Sequence, residues 1–316
     1  MRAVIAIPCI VALLLRAYTR RSLTPLGLVS AGLTASIHAL HPSALPFTLL
    51  GTFFLLGTQA TKVKHDVKAT LTQSSSGSSG GEGPRTSVQV FANSGAATVL
   101  VLLHIYLYGL SPGSDACFSA AGPSKSIVPD LILLGIVSNY AATTSDTLSS
   151  ELGILSRSKP RLITTLRTVP PGTNGGVSVA GLAAGVAGSV AIALTSQLFL
   201  TFCSDSSLTR PGTFALITLL GTTGTLVDSL LGAILQASVV DRRTGKIVEG
   251  PGGVKVLTKP RPGPNSYQGD KKEKAGHESR IINSGHDILD NNQINFLMAG
   301  ILSVSGMIAG RFLIQA

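Results

Sequence analysis

Two aspartates lie in surroundings that favour chemistry. Asp146 lies among the hydroxyl residues of 143–150, and Asp228 lies within the apolar, glycine-containing stretch 221–236. A charge inside an apolar segment is costly, so it is a functional candidate by default. Mg²⁺ binds one or two carboxylates together with water and substrate phosphates, and both aspartates suit that role, with Glu151 as a further acid. The alternatives are a helix cap formed by Asp146 and a packing face that holds one hydrogen-bonded Asp228.

A proline- and glycine-rich turn is the second candidate. Residues 170–176 read Pro-Pro-Gly-Thr-Asn-Gly-Gly, and Arg161 and Arg167 lie just before them. Glycines let backbone N–H groups converge on an anion, and the start of a following helix adds its positive dipole end. No Walker A pattern is present. We predict a phosphate cradle, the alternative being an ordinary turn between helices; the five predicted contacts are Gly172, Thr173, Asn174, Gly175 and Gly176.

Polar residues also mark two further segments. Arg85, Gln89 and Asn93 are spaced four apart, which places them on one helical face. Either they contact a substrate, or the arginine snorkels to the membrane surface while the amides join helices. The polar patch 283–295 either caps the last helix or joins the site.

The segments that must position these residues are apolar helices. Only 13% of the 316 residues are charged, and the charges cluster between uncharged apolar runs. Such runs predict membrane-spanning helices, and no alternating pattern of a barrel is visible. We predict a single all-α integral membrane domain over 1–316, a bundle of about eight spans at 3–17, 23–40, 44–60, 89–110, 127–143, 176–202, 212–237 and 294–313.

Charge predicts the orientation of this bundle. Of 25 Lys and Arg residues, 21 fall in the odd-numbered loops and two in the even-numbered ones. The positive-inside rule therefore places the odd loops and all the polar motifs at the cytoplasmic face, with the N- and C-termini on the non-cytoplasmic side. Residues 73–84 are expected to form a flexible Ser/Gly insert and 241–282 a largely disordered basic loop. Interleaved aromatics are missing from the basic loops, so nucleic acid is not an expected partner.

The cysteines carry little information at this level. Cys9, Cys117 and Cys203 are far apart and lack the spacing of a metal site. Small apolar fillers are therefore the expected role for all three. The absence of a clear transit peptide suggests the endoplasmic reticulum membrane as the location.

Four ordered motifs resemble the transmembrane protein 19 family, also called domain of unknown function 92. The resemblance extends over about 20–315, and its motifs lie at 89–93, 146–156, 170–178 and 227–236. One departure is Ser94, where a glycine is expected after Ala-Asn. The family is similar to phytyl-phosphate kinases, so the resemblance implies a kinase that converts an isoprenyl monophosphate of phytyl, farnesyl or geranylgeranyl type to the diphosphate, with CTP or another nucleoside triphosphate as donor.

The resemblance and the residues together give a working hypothesis. Asp146 and Asp228 bind Mg²⁺ with Glu151 nearby, while the two arginines and the glycine turn hold phosphates. The substrate is oriented by five further polar residues, namely Arg85, Gln89, Asn93, Asn139 and Ser229. A membrane transporter or flippase for a small or lipid-phosphate substrate is the main alternative. The transporter hypothesis predicts polar groups near the midplane of the membrane, whereas the kinase hypothesis predicts them at one membrane face. A scaffold protein without catalytic activity does not require such dense polar motifs.

Overall fold

The computed structural model describes residues 3–76, 78, 80, 83–110, 117–119, 126–204, 206–256, 258 and 279–315. This part of the chain is mostly helical. Its helices are α1 (Ala3–Thr19), α2 (Pro25–Leu40), α3 (Leu45–Lys62), α4 (His65–Leu71), α5 (Ser87–Tyr108), α6 (Val128–Gly153), α7 (Val179–Phe199), α8 (Arg210–Leu235) and α9 (Asn291–Gln315).

Every predicted apolar segment coincides with a helix, and the short α4 is additional. Among the described residues, α5, α7, α8 and α9 are long and apolar enough to cross a membrane, while α1 and α2 are shorter apolar helices. The helical membrane bundle is thus confirmed in outline, whereas the count of eight spans stays a prediction. The end of α6 lies ten residues beyond the predicted boundary, so Asp146 and Glu151 are both helical.

Helix α6 occupies the centre of the bundle, and every residue from 134 to 146 is buried. Helices α7 and α8 approach it closely because glycines face it. A Cβ placed on Gly224 would lie only 2.5 Å from the Cβ of Ala142, and one on Gly221 would lie 2.9 Å from the carbonyl oxygen of Ala141. Small residues at such positions let apolar helices pack backbone to backbone.

Hydroxyl side chains set several helix starts. Thr86 accepts a hydrogen bond from the Gln89 N–H while the Gln89 side chain accepts one from the Thr86 N–H, a reciprocal capping box at the start of α5. Ser178 caps α7 by accepting from the Gly181 N–H at 3.1 Å. These caps place the predicted polar motifs directly at the first turns of their helices.

A small sheet closes the end of the bundle at which α6 and α8 finish, hereafter the cavity end. Its strands are β1 (Gln73–Ser74), β4 (Ser238–Asp241), β5 (Ile247–Glu249) and β6 (Arg280–Ser284), in the order β1-β5-β4-β6. Strand β1 pairs parallel with β5, and the other pairs are antiparallel. A separate pair joins β2 (Arg161–Leu162) to β3 (Gly176–Val177).

These strands differ from the all-α prediction. Both ends of the segment 241–282, expected to be largely disordered, contribute to the sheet, and the apolar residues Ile247 and Val248 are both buried where β5 pairs with β4. Residues 257 and 259–278 lie outside the described residues, as do 77, 79, 81 and 82 of the Ser/Gly insert. For those residues the predictions stay predictions.

The opposite end holds a disulfide. Cys117 and Cys203 are bonded across 86 residues of sequence, and they join the segment before α6 to the segment after α7. The expectation that these cysteines are apolar fillers is therefore wrong for this pair. Sequence spacing could not reveal it, because the antiparallel packing of α6 and α7 brings the two loops together. Cys9 is a free, half-buried thiol on α1.

Candidate functional site

Most predicted site residues line one cavity of about 270 Å³ at the cavity end. The ends of α3, α6 and α8 and the starts of α5, α7 and α9 converge there, because successive helices run in alternating directions. Twelve of the predicted residues line it: Arg85, Gln89, Asn93, Asp146, Glu151, Gly172, Thr173, Asn174, Gly175, Gly176, Asp228 and Ser229. The four sequence motifs therefore meet in space, as predicted.

Three predicted residues lie elsewhere. Arg161 is exposed because alternation along β2 turns it outward while Leu162 turns inward, and its guanidinium donates to the Leu166 carbonyl oxygen at 3.0 Å. Arg167 is also exposed. Asn139 is fully buried, and its amide donates to the Asn93 carbonyl oxygen at 2.9 Å, which joins α6 to α5. None of the three lines the cavity.

The two predicted metal ligands approach the cavity from adjacent helices. Asp146 is 8% exposed on α6, and Asp228 is half-buried on α8. When the Asn295 side-chain amide is oriented so that its oxygen and its nitrogen both face suitable partners, the nitrogen donates to Asp228 Oδ2 at 3.0 Å. No group of three His, Cys, Asp or Glu side chains that could hold a metal occurs among the described residues. Two carboxylates on one polar cavity nevertheless fit Mg²⁺, which completes its shell with water and substrate phosphates.

Glu151 makes a buried ion pair that the sequence did not predict. Lys68 Nζ lies 2.5 Å from Glu151 Oε2, and the side chains are only 8% and 12% exposed. Thr61 donates to the other carboxylate oxygen at 2.7 Å and accepts from Arg85 Nη2 at 3.4 Å. This network joins α4, α6, α3 and the start of α5. Through these contacts Glu151 holds the side chains of Lys68 and Thr61 in place.

The cavity's basic side chains are therefore Lys68 and Arg85, together with His65. The Arg85 guanidinium carbon lies 5.9 Å from the centre of the Phe53 ring. It also lies beside Gly57, where a Cβ would be 3.1 Å from Nη1. A glycine on α3 thus provides the space into which the arginine extends. The ammonium of Lys68 is already neutralised by Glu151 and donates to two carbonyl oxygens of α3. Arg85, rather than Arg161 or Arg167, is therefore placed to neutralise a phosphate.

The glycine turn adopts the conformation that its composition predicted. Gly172 and Gly175 have φ of +83° and +73°, which glycine alone adopts readily. Several of its N–H groups are already engaged, however. Thr173 donates to Pro170 O and Gly176 to Thr173 O, while Asn174 donates from its backbone to Ser238 Oγ and from its amide to Ala237 O. Asn174 therefore anchors the turn to the segment that follows α8.

Two further cavities adjoin the polar one. An apolar pocket of about 70 Å³ lies between α1, α2, α3 and α5 and shares Arg85, Gln89 and Asn93 with it. A vestibule of about 480 Å³ lies against the sheet and shares Asn174 and Gln236, among others. Gln89 lines all three. Apolar pocket, polar cavity and vestibule are thus neighbours in that order.

Several lining residues escaped prediction. Asn291 and Asn295 belong to the patch 283–295, whose role the sequence left open, and they join the site. Lys68 and Thr61 carried no distinguishing signal, because lysines are frequent in that loop and threonines frequent in apolar helices. Gln236 lies at the end of a recognised motif but suggested no role by itself.

Comparisons with known proteins give a consistent result. Residues 8–303 match the family described as Integral membrane protein DUF92. The chain is 35% identical over 304 residues to Protein PGR of Arabidopsis thaliana, covering 94% of this chain and 92% of that one. It is 33% identical over 190 residues to Protein VTE6, chloroplastic, of the same plant, covering 60% and 49%. An uncharacterised membrane protein of Methanocaldococcus jannaschii is 45% identical over 104 residues, covering 33% and 40%. No solved structure matches.

Proposed function

The chain belongs to the Integral membrane protein DUF92 family, and from the arrangement of its cavities we propose that it is an isoprenyl-monophosphate kinase. A phosphoryl group passes from a nucleoside triphosphate, with CTP as the first candidate, to a membrane-embedded isoprenyl monophosphate. The observation that carries the proposal is that the apolar pocket, the polar cavity and the vestibule are neighbours and that Gln89 lines all three. Such a series suits a lipid tail, two phosphate groups and a soluble donor.

The relatives support the coarser part of this proposal. The similarity to VTE6 indicates a membrane protein related to prenyl-phosphate kinases, and the chain is a multi-pass integral membrane protein. The same relative is chloroplastic, so the endoplasmic reticulum expected from the sequence is not supported by the comparisons. The donor, the alcohol chain and the membrane face belong to the proposal.

The proposed reaction requires little covalent chemistry from the protein. An oxygen of the isoprenyl monophosphate attacks the terminal phosphorus of the donor, and the bond from that phosphorus to the bridging oxygen breaks, giving isoprenyl diphosphate and nucleoside diphosphate. The attacking oxygen is already anionic and needs no general base. Catalysis is then positioning and charge neutralisation. Asp146 and Asp228 would hold Mg²⁺, which would supply charge to the phosphates, and Arg85 neutralises the acceptor phosphate.

We further propose that the cavity end faces the cytoplasm. The basic loops and the cavity lie at one end of the bundle, and the Cys117–Cys203 disulfide lies at the other. Disulfides persist in oxidising compartments, whereas basic loops are retained on the cytoplasmic side. These two independent preferences agree, and they leave both termini on the non-cytoplasmic side. A donor nucleotide then reaches the vestibule from the cytosol.

The test is a phosphorylation assay on purified protein in detergent or nanodiscs. Phytyl, farnesyl and geranylgeranyl monophosphates are offered with labelled CTP or ATP and Mg²⁺. We expect isoprenyl diphosphate, and we expect Asp228→Asn to lower its rate by at least about 100-fold, because metal-assisted charge neutralisation is worth several kcal/mol. Asp66→Asn is the matched control, since Asp66 is fully exposed and outside the cavity.

Two results would contradict the kinase. The first is the absence of diphosphate with every pair of substrates, from protein shown to be folded by its melting temperature. The second is normal turnover in Asp228→Asn, which would remove the metal role of that residue. The first result would favour the transporter or flippase, which is then examined by flux of isoprenyl monophosphate across proteoliposomes.

A further inference from the structure

The apolar pocket beside the polar cavity has the features of a lipid-tail site. Its walls come from α1, α2, α3 and α5, and most of its lining side chains are aliphatic or aromatic, including Leu14, Leu50 and Phe54. Arg85, Gln89 and Asn93, which it shares with the polar cavity, provide its polar boundary. A single ligand with an apolar chain and an anionic head would therefore contact both spaces at once.

We propose that this pocket binds the isoprene units next to the phosphate of the acceptor substrate, an assignment that rests on the proposed kinase function. The Arg85 guanidinium lies at the junction of the two spaces, where the phosphate joins the chain. The acceptor phosphate then lies in the same cavity as Asp146 and Asp228. The occupant is thus fixed by charge at one end and by apolar walls at the other.

The size of the pocket defines what it recognises. Its volume is about 70 Å³, whereas pockets that enclose a whole drug-sized ligand measure roughly 300–1,000 Å³. Only the proximal part of a C15 or C20 chain fits, and the rest extends into the bilayer. The enzyme therefore distinguishes branching and unsaturation near the phosphate and is insensitive to total chain length.

Gly51 provides a direct test of this assignment. It lines the pocket, and a Cβ placed on it would meet no atom within 4 Å. Gly51→Leu and Gly51→Phe therefore extend into the open space without a clash at Cβ. Gly300 on α9 is the matched control, because its Cβ would also meet nothing and it lines none of the three cavities.

Two readouts separate this inference from the kinase reaction. The first is photolabelling with a farnesyl monophosphate that carries a diazirine on its first isoprene unit, with adducts mapped by mass spectrometry. We expect adducts on α1, α2, α3 or α5 that excess farnesyl monophosphate suppresses, and a loss of these adducts in Gly51→Phe but not in Gly300→Phe. The second is kinetic: in Gly51→Phe the KM for farnesyl monophosphate rises about tenfold, equivalent to about 1.4 kcal/mol, with the KM for the nucleotide unchanged.

The outcomes are distinguishable. Labelling without any kinase activity would support the tail site and overturn the proposed reaction. Kinase activity with adducts outside α1, α2, α3 and α5, or with adducts that persist in both glycine variants, would overturn the tail site alone. Adducts that bilayer phospholipid suppresses as well as farnesyl monophosphate does would show a general lipid groove and also overturn it.

Discussion

Replacement of Gly175 by alanine probes the contact between the glycine turn and the helix that carries Asp228. Gly175 has φ of +73°, and a Cβ built on it would lie 2.4 Å from the Ala233 Cβ and 2.5 Å from the Ser229 carbonyl oxygen. Both distances are far below van der Waals contact. Alanine therefore forces either the turn or α8 to move, and Asp228 lies on the part of α8 that would move.

Two costs add at this position. A left-handed conformation costs a non-glycine residue about 1–2 kcal/mol, and overpacking of a close contact costs about 1–3 kcal/mol more. We therefore expect Gly175→Ala to destabilise the fold by about 2–5 kcal/mol. Gly245→Ala isolates the first cost, because Gly245 has φ of +67° in the turn between β4 and β5 and its Cβ would meet nothing within 4 Å.

The assay compares the melting temperatures of the two variants in the same detergent, followed by the rate of diphosphate formation. Gly175→Ala should melt several degrees below Gly245→Ala, since each kcal/mol corresponds to about 2–4 °C in a mid-sized domain. It should also lose activity at temperatures where it is still folded, because the displaced helix carries Asp228. Equal melting temperatures would refute the packing argument, and full activity would refute the link between the turn and the site.

Two further predictions concern ion pairing and sidedness. Lys68→Met should destabilise the protein by about 3–5 kcal/mol, because Glu151 is left buried without its cation. In a denaturant titration, the double variant Lys68→Met/Glu151→Gln should recover most of that loss. Equal unfolding midpoints for the single and double variants would contradict the buried pair. After reduction, Cys117 and Cys203 should react with an impermeant maleimide added to the non-cytoplasmic side of sealed vesicles, whereas reaction only from the cytoplasmic side would reverse the proposed orientation.

Residues within short motifs were predictable because local chemistry determines them. Gly172 and Gly175 adopt positive φ, as their turn composition implied. The convergence of four separate motifs was also predictable. Alternating helix directions bring every second loop to one end, so basic and polar loops that alternate with neutral ones must meet there.

Residues whose partners are distant in sequence were not predictable. Lys68 and Glu151 are 83 residues apart, and nothing local to Lys68 distinguishes it from the neighbouring lysines. The sequence favoured Arg161 as a phosphate ligand because it is close to the glycine turn, but the pairing of β2 with β3 turns its side chain outward. The disulfide has the same explanation, since its cysteines come together only through the packing of α6 against α7.

The acidic and basic residues of the site differ in how tightly they are packed into the bundle. The carboxylates of Asp146 and Asp228 belong to α6 and α8, which pack backbone to backbone at Gly221 and Gly224, so the close-packed core of the bundle positions both helices. Lys68 belongs to the same rigid part, because it pairs with Glu151 on α6, the helix that carries Asp146. Arg85 comes from the segment before α5 and contacts that part through Thr61. A rigid acidic pair beside one arginine from a separate segment suits the proposed kinase, which must hold a metal in one geometry and admit a lipid phosphate from the side.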